Sequence, residues 1–440
     1  MTVPVWLDNR PQLGDLIKPA IKADIAIIGG GVVGAACAYL ASRRHLKVVV
    51  LEAGTVASGA SGRNGGFVLR GIHTHYNSCV TQYGRDISRY IYGLGEHNQA
   101  LIQEFVESHN IDIDYDPSGS HLLACSLEEL EELSRSCQLM REDGFKVDLI
   151  GQDPLDRGFY GALFNACDFG INPVKFVRAL LAVSEAQVLE QESVRQIECS
   201  GSGIAVTASS QTVICDRVIV ATNAYSPGFD SFFLDKIQPA RGQMLATAPL
   251  KKKILNSLCY ANYGWEYFRQ LPDRRLVVGG CRQSFLEEES GYADLVTKPV
   301  QTALEHYLKD HFPELAGIAI EYRWSGPMAF THDGLPLVGA LPHLPAVHFA
   351  VGCNGHGLGY SMTLAERVLA VSLDNEPPGY FDVARSSCTI GAENNGKGSV
   401  KLAGKASSKT GDRANDKNRV TATHNRIVAA RMTGEFEIGP

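Results

Sequence analysis

The chain has 440 residues, of which 45% are hydrophobic and 20% are charged, and its net charge is −7 at pH 7. This length suits two domains, and the composition is typical of a soluble globular enzyme. The negative charge argues against nucleic acid as a partner, and no run of 18 apolar residues is present, so no membrane span is expected. Eleven cysteines without paired spacing suit reduced thiols and predict a cytoplasmic protein. No CxxC or HExxH occurs, so no metal site is predicted.

The first predicted elements form a strand–helix–strand unit. The run ADIAIIGG (23–30) is apolar and rich in β-branched residues, which predicts a buried parallel strand. The segment VVGAACAYLASRRH (32–45) has helical spacing, and KVVVLEA (47–53) predicts a second buried strand. Two parallel strands joined through a helix form a right-handed βαβ unit, which is the framework of dinucleotide-binding domains.

The turn into the predicted helix carries the pattern G-x-G-x-x-G at Gly29, Gly31 and Gly34. These glycines permit a tight turn, close approach of the backbone to a pyrophosphate, and close packing of helix on strand. The pyrophosphate is expected at the helix N-terminus, where Val33 lies in the first turn. Glu52 ends the second strand, where its carboxylate can accept hydrogen bonds from both ribose hydroxyls.

A second glycine-rich segment, ASGASGRNGG (57–66), follows the acidic residue, and eight of its ten residues are Gly, Ala or Ser. NAD needs no such loop, whereas FAD is longer and must be followed by more protein. The segment therefore predicts FAD, with the flavin end held by backbone N–H groups and by five residues: Ser58, Ser61, Asn64, Gly65 and Gly66.

Helices are predicted in the middle of the chain. Residues 86–109 and 126–144 have the pattern of amphipathic helices with charged outer faces. Residues 172–186 begin with Asn172 and Pro173, a favourable N-cap and first-turn pair.

Two kinds of strand are predicted downstream. RVIVAT (217–222) and AVHFAVG (346–352) suit the parallel sheet, whereas 240–250 and 258–285 alternate with turns and suit an antiparallel sheet. Because the two kinds interleave, the predicted fold is α/β, with a discontinuous Rossmann-like FAD-binding domain and a second α+β substrate domain on an antiparallel sheet. The predicted ranges are 22–85, 145–230 and 320–376 for the FAD-binding domain, 86–144 and 231–319 for the substrate domain, and 377–440 for a disordered tail.

Five ordered motifs together resemble the FAD-dependent D-amino acid oxidase and glycine oxidase superfamily, in particular its gamma-glutamylputrescine oxidase-like branch. They are IIGGGVVG, LEA, ASGASGRNGG, GPMAFTHDGLPLVG and AVGCNGHGLGYS, and the resemblance spans roughly residues 5 to 374. It implies an FAD-dependent enzyme that oxidises a C–N bond. Relatives with covalent flavin carry a Cys near the segment of Met328, and none lies there, which implies noncovalent FAD.

The resemblance also implies further cofactor contacts. The segment GCNGHGLG lies under the pyrimidine edge of the flavin in the family, which places Gly355, His356, Gly357 and Leu358 there. A helix that begins at this point would stabilise negative charge on the reduced flavin. Val194, in a predicted strand QESVRQIE, matches a residue that contacts the adenine through its backbone.

The substrate side departs from the family pattern. Met328 stands where glycine and D-amino acid oxidases carry an Arg for the substrate carboxylate, and Gly359 replaces a sarcosine oxidase Lys. These differences favour an amine over an α-amino acid. Arg70 matches a substrate-binding Arg, against the alternative of a surface or interdomain salt bridge. Tyr267 matches a substrate-lining Tyr, against the alternative of a core aromatic pair.

The predicted reaction converts a primary or secondary amine to an imine, with a γ-glutamyl polyamine among the candidate substrates. An alternative is a D-amino acid or glycine-type oxidase, or a dehydrogenase that passes electrons to a quinone or carrier. A lysine that activates oxygen in sarcosine oxidases falls near Val277 here, so both O2 and an electron carrier stay open as acceptors. A flavin-binding subunit without turnover is a third alternative.

Overall fold

The computed structural model describes residues 19–201 and 203–385. Its helices are α1 (Val32–Ser42), α2 (Tyr76–Tyr83), α3 (Arg85–His109), α4 (Leu127–Glu142), α5 (Pro173–Ser184), α6 (Ser226–Phe229), α7 (Lys298–His311) and α8 (Gly357–Asp374). None of these helices is both long and apolar enough to cross a bilayer.

The strands, in chain order, are β1 (Ile21–Lys22), β2 (Ile25–Ile28), β3 (Val48–Leu51), β4 (Phe67–Val68), β5 (Ser120–Ala124), β6 (Asp148–Ile150), β7 (Gly161–Asn165), β8 (Phe169–Gly170), β9 (Gln187–Leu189), β10 (Gln196–Ser200), β11 (Gly203–Thr207), β12 (Thr212–Cys215), β13 (Arg217–Val220), β14 (Gln238–Thr247), β15 (Leu258–Ala261), β16 (Glu266–Gln270), β17 (Leu276–Gly280), β18 (Ile320–Phe330), β19 (Leu337–Leu341) and β20 (Leu344–Val351). They form sheets of six, eight, four and two strands.

The six-stranded sheet is the predicted dinucleotide-binding sheet, and its strand order is β19-β20-β13-β2-β3-β9. All neighbours are parallel except β19 and β20. Strands β2 and β3 are buried along their whole length, as continuous apolar runs predict for a parallel sheet covered on both faces. The two late strands β13 and β20 join this sheet, so the prediction that it is discontinuous in sequence is confirmed.

The eight-stranded sheet carries the rest of the fold, in the order β18-β14-β17-β16-β15-β5-β7-β6. Its neighbours are antiparallel except β15 and β5, which run parallel. One face packs against α7 through a core that includes Leu245, Phe268 and Leu304. The other face meets the six-stranded sheet's glycine-rich loops.

The cap predicted at the start of α5 is confirmed. The Asn172 side chain accepts hydrogen bonds from the backbone N–H groups of Val174 and Lys175, both at 3.2 Å, and Pro173 opens α5. Such caps satisfy donors that have no partner within the helix.

The predicted domain ranges differ from the observed sheets in two places. Strands β6, β7 and β18 belong to the eight-stranded sheet, although 145–230 and 320–376 were assigned to the FAD-binding domain. Helix α3, which was assigned to the substrate domain, packs on α8 instead, where Asn98 donates to Leu358 O and accepts from Met362 N, both at 2.9 Å. Amphipathic patterns predict a helix or strand but do not say which sheet it joins.

Residues 377–385 are ordered, although they were predicted to begin a disordered tail. Phe381 is only 2% exposed in the main core. Arg385 forms a two-pronged ion pair with Asp333, at 2.6 and 2.9 Å. The packed body therefore extends to Arg385, and residues 386–440 lie outside the described part of the chain.

Candidate active site

A cavity of about 610 Å³ lies where the turn after β2 and the start of α1 meet the eight-stranded sheet. This volume is within the range of cofactor and ligand sites. Most residues predicted to bind cofactor or substrate line it: Gly29, Gly31, Val33, Glu52, Ser58, Ser61, Asn64, Gly65, Val194, Gly355, His356, Gly357, Leu358, Tyr267 and Met328. Gly34, Gly66 and Arg70 do not line it.

The glycine turn requires its glycines for different reasons. Gly29 has φ +109°, and a Cβ there would lie 2.8 Å from the carbonyl oxygen of Ala221. A Cβ on Gly34 would lie 2.0 Å from Gly29 O, so Gly34 serves helix packing behind the cavity. Gly31 is the N-cap of α1 and carries no capping side chain, which leaves the helix N-terminus open to an anionic ligand.

Glu52 is held in position by backbone groups. Its two carboxylate oxygens accept hydrogen bonds from Gly30 N at 2.7 Å and from Gly54 N at 2.8 Å. A carboxylate offers about four acceptor positions, so it can still accept from ligand hydroxyls in the cavity that it lines. The arrangement fits a ribose with two vicinal hydroxyl groups.

The second glycine-rich segment is shaped by its own side chains. Ser61 Oγ accepts from Val32 N at 2.8 Å, which ties this loop to the start of α1. Asn64 donates to Ser61 O at 2.8 Å and accepts from Gly66 N at 2.8 Å, so its amide fixes the loop. Gly66 lies behind the cavity wall with φ +74°, and its carbonyl accepts from Arg269 Nη1 at 2.8 Å.

Helix α8 begins at the cavity. Its N-cap is His356, with no side-chain hydrogen bond to the cap, and Gly355 and Gly357 flank it with bare backbone. Burial, with a smaller effect of His73, lowers the pKa of His356 to about 3. His356 is therefore a neutral imidazole at physiological pH, and the positive end of the helix dipole supplies positive potential at this point.

Val194 lies in the cavity wall, but not within a strand. It belongs to the loop between β9 and β10, which corrects the predicted strand at QESVRQIE. Glu192, in the same loop, also lines the cavity and accepts from Ser210 N at 2.8 Å. The short polar run QESVRQ favours a turn over a strand in this position.

An aromatic face lies on the eight-stranded sheet. The rings of Tyr260 and Tyr267 stack with centroids 5.5 Å apart, and Phe67 meets both edge-to-face. Burial raises the pKa of Tyr267 to about 12, so its hydroxyl stays protonated at neutral pH. Met328 lines the same space from β18. The face offers apolar contact and a hydroxyl that can donate.

The structure places Arg70 away from the cavity. Its guanidinium pairs with Glu96 and donates to Asn165 Oδ1 at 2.7 Å and to Lys146 O at 3.2 Å. Arg70 is 6% exposed and stacks on Phe145, 5.1 Å from the ring centroid. These contacts favour the alternative of a salt bridge over a substrate anchor, with a buried arginine and a half-exposed Glu96 carboxylate.

Sequence reasoning missed a different arginine. Arg282 lines the cavity two residues beyond β17 and lies against two aromatic rings, 4.9 Å from the centroid of Trp265 and 4.8 Å from that of Phe330. His73 also lines the cavity, and burial together with Arg282 lowers its pKa. The available signal was a basic residue just beyond β17, the strand that pairs with β16, which carries the predicted substrate-lining Tyr267.

Taken together, the open helix N-terminus, the positioned Glu52 carboxylate and the second glycine-rich loop define a flavoprotein of the dinucleotide-binding class. A family model described as FAD dependent oxidoreductase, DAO, matches residues 24–370. The chain belongs to this family, and it is an FAD-dependent oxidoreductase.

Curated relatives agree over most of the chain. It is 28% identical to gamma-glutamylputrescine oxidoreductase of Escherichia coli K12 over 372 residues, which cover 80% of this chain and 83% of the relative. It is 24% identical to glycine oxidase of Bacillus subtilis 168 over 355 residues, which cover 76% and 89%.

A solved structure of glycine oxidase from Geobacillus kaustophilus shares the fold with a TM-score of 0.70 and 23% identity, covering 84% of this chain and 99% of that one.

Proposed function

We propose that this enzyme oxidises the C–N bond of an amine to an imine, which water then hydrolyses to a carbonyl compound and the released amine or ammonia. The bound FAD would accept the two electrons and one proton, as a hydride equivalent, from the carbon next to nitrogen. The observation that carries the proposal is one cavity that joins the start of α8 to the aromatic face of Tyr260 and Tyr267. The names of the two curated relatives support it.

The residues that line the cavity are better suited to orienting the substrate than to acid–base catalysis. Tyr267 keeps its proton at neutral pH, and His356 is neutral. The described lining contains two carboxylates, Glu52 after β3 and Glu192 after β9. They accept hydrogen bonds from Gly30 N and Ser210 N, respectively. The chain would therefore bind a neutral amine against the aromatic face and exclude water from it.

The electron acceptor is proposed to be either O2 or an electron carrier. Val277, at the position of an oxygen-activating lysine in sarcosine oxidases, is an apolar residue that is 3% exposed. This favours a carrier, and parallel reoxidation rates with air and with a quinone analogue would decide between the two.

A cytoplasmic location is supported by the cysteines. The ten cysteines in the described part of the chain are all free thiols, as a reducing compartment maintains.

The reaction is tested by anaerobic reduction of the flavin. A panel of primary and secondary amines is mixed with the holoenzyme, with the alcohol analogue of each amine as a matched control. Bleaching by an amine but not by its alcohol supports the proposal. A flavin that no amine reduces, while dithionite does, contradicts it and favours a binding subunit.

A further inference from the structure

The cavity contains a half-buried cation that the chain itself leaves unneutralised. Two arginines line it, Arg63 and Arg282. Arg63 pairs with Asp294 at 2.5 Å and also donates to Ser58 O at 2.6 Å. The Arg282 guanidinium, in contrast, forms no hydrogen bond or ion pair with any residue in the described ranges 19–201 and 203–385, and its contacts are aromatic.

The local backbone fixes where Arg282 lies. Gly280 has φ +111°, and a Cβ there would lie 1.9 Å from Trp265 O, so only glycine allows this approach. Cys281 N then donates to Trp265 O at 3.1 Å, and Cys281 itself has a left-handed φ of 55°. These contacts hold the C-terminal end of β17 against Trp265. Arg282, which follows Cys281, therefore lies beside the indole ring.

The carboxylate of Glu289, which influences Arg282, belongs to another ion pair. Glu289 acts on Arg282 only through space. Its carboxylate accepts from Arg241 Nε at 2.7 Å, Gln243 Nε2 at 2.8 Å and Thr297 Oγ1 at 2.8 Å. Glu289 is therefore already paired with Arg241, and it does not satisfy Arg282.

A half-buried cation without a partner is costly unless a ligand pairs with it. Burial lowers the pKa of Arg282 from its usual value, yet a guanidinium stays ionised at neutral pH. Its planar donors match a carboxylate in a two-point hydrogen bond. Tyr267 and Met328 line the same cavity, so an anion on Arg282 would belong to the molecule that contacts the aromatic face.

We propose that Arg282 binds a carboxylate of the substrate, so that the enzyme acts on amines that also carry a carboxyl group. This inference rests on the proposed amine oxidation and narrows its substrate class. The carboxylate anchor then comes from the end of β17, whereas Met328 on β18 supplies only apolar contact. The carboxylate can be on the carbon next to nitrogen or at the far end of the molecule, and the test separates these two cases.

The experiment compares amines in pairs that differ by a carboxylate: glycine with methylamine, and 4-aminobutyrate with propylamine. Rate constants for anaerobic flavin reduction are measured for wild type, Arg282→Met, Arg282→Lys and a control, Arg178→Met, on an exposed site of α5. For one carboxylated amine of the two pairs, Arg282→Met is expected to lower the specificity constant of flavin reduction at least about 30-fold. Arg282→Lys should lower this constant less, and the control variant should not change it. The carboxylate-free partner should change less than about threefold. Which pair shows the loss tells whether the carboxylate is near or remote.

Binding without turnover gives a second measurement. Acetate should perturb the flavin absorption spectrum of wild type, with a dissociation constant at least about 30-fold higher in Arg282→Met. Equal losses for both members of each pair, or an unchanged acetate affinity, would overturn the inference while leaving amine oxidation standing. If no amine reduces the wild-type flavin, amine oxidation fails, and the acetate titration still decides the role of Arg282.

Discussion

The Glu52 carboxylate connects three parts of the cofactor site, because it accepts from Gly30 N and Gly54 N and lines the cavity between them. Loss of its charge would leave two backbone donors and the ribose hydroxyls without an acceptor. Hydrogen bonds to charged groups typically contribute a few kcal/mol when they are broken on one side only.

We therefore expect Glu52→Arg to weaken FAD binding by about 1–3 kcal/mol, which is roughly 5- to 150-fold in the dissociation constant. The measurement is quenching of flavin fluorescence when the apoprotein is titrated into FAD. Glu107→Arg, an exposed change of the same charge on α3, serves as the control. Equal affinity of the Glu52 variant and wild type would count against the ribose assignment.

Cys353 is the cavity-lining cysteine nearest in sequence to the start of α8. Burial raises the pKa of its thiol to about 12, so the thiol is protonated at neutral pH and is a poor nucleophile. We expect acid precipitation to release all of the FAD into the supernatant, from wild type and from Cys353→Ala alike. Yellow colour that stays with the precipitated wild-type protein would contradict noncovalent binding.

Glu266 on β16 should make stability depend on pH. Burial, and to a lesser extent the Glu129 carboxylate, raise the pKa of Glu266 to about 7 from its usual value of 4.5, while Asn262 opposes the shift. Because the folded state holds the proton more tightly than the unfolded state, stability is lost as pH rises from about 4.5 through 7.

Glu266→Gln removes this ionisation, so its melting temperature relative to wild type should rise between pH 5 and pH 8. Scanning calorimetry at both values measures the difference, with Glu287→Gln at an exposed position as the control. A difference that stays constant with pH, or that falls as pH rises, would show that Glu266 is ionised throughout.

The residue scale also shows what sequence reasoning can and cannot locate. Glu52 and Met328 lie in the cavity because motif spacing places them relative to a known turn or strand. The local sequence could not show which of Arg70 and Arg282 lines the cavity, because both are single basic residues after apolar strands. What separates them is the presence of Glu96 and Asn165 around Arg70, and these partners lie 26 and 95 residues away in the chain.

At the scale of elements, the segment that follows α8 and runs to Arg385 packs against the rest of the protein. Phe381 is buried, and the isolated bridge between Val338 and Asp382 aligns this segment with β19. Arg385 then pairs with Asp333. This segment is structural, whereas the sequence composition alone had grouped it with the residues that follow.

We expect a chain that ends at Arg385 to melt within about 2 °C of the full chain and to keep its FAD, because the predicted tail composition cannot bury a core. A chain that ends at Glu376 should melt clearly lower. Phe381→Ala in the full chain should cost about 3–5 kcal/mol of unfolding free energy, and the exposed neighbour Tyr380→Ala much less. Urea titration measures both variants, and equal effects would show that the segment does not pack on the body.

Elements were predictable where the signal is local. The continuous apolar runs predicted β2 and β3, and the Asn172-Pro173 pair predicted the start of α5. Pairing between distant strands was not predictable in the same way, because periodicity says which face is buried but not which strand lies alongside. The parallel contact of β15 with β5 and the position of β6 and β7 in the larger sheet depend on such distant pairing.

At the scale of the whole molecule, each of the two large sheets supplies a different set of residues to the cavity. The six-stranded sheet supplies Glu52 and the helix N-termini, and the eight-stranded sheet supplies Tyr267, Met328 and Arg282. This division was predictable from the interleaving of strand types, and the FAD-dependent family follows from the ordered motifs. The exact boundary between the two predicted domains was not predictable from the sequence, because the chain crosses between the two sheets several times.

The order of strands in the six-stranded sheet has a consequence for how the protein is made. Strand β2 pairs with β13, and β13 pairs with β20, which ends at Val351. The cavity lining runs from Ile28 to Gly359. At roughly 5–20 residues per second of synthesis, on the order of 15–65 seconds separate the first residue of the cavity lining from the last. During that time the apolar strand β2 lacks its partner β13 until synthesis has passed Val220. The cavity itself cannot be complete before synthesis has passed Gly359.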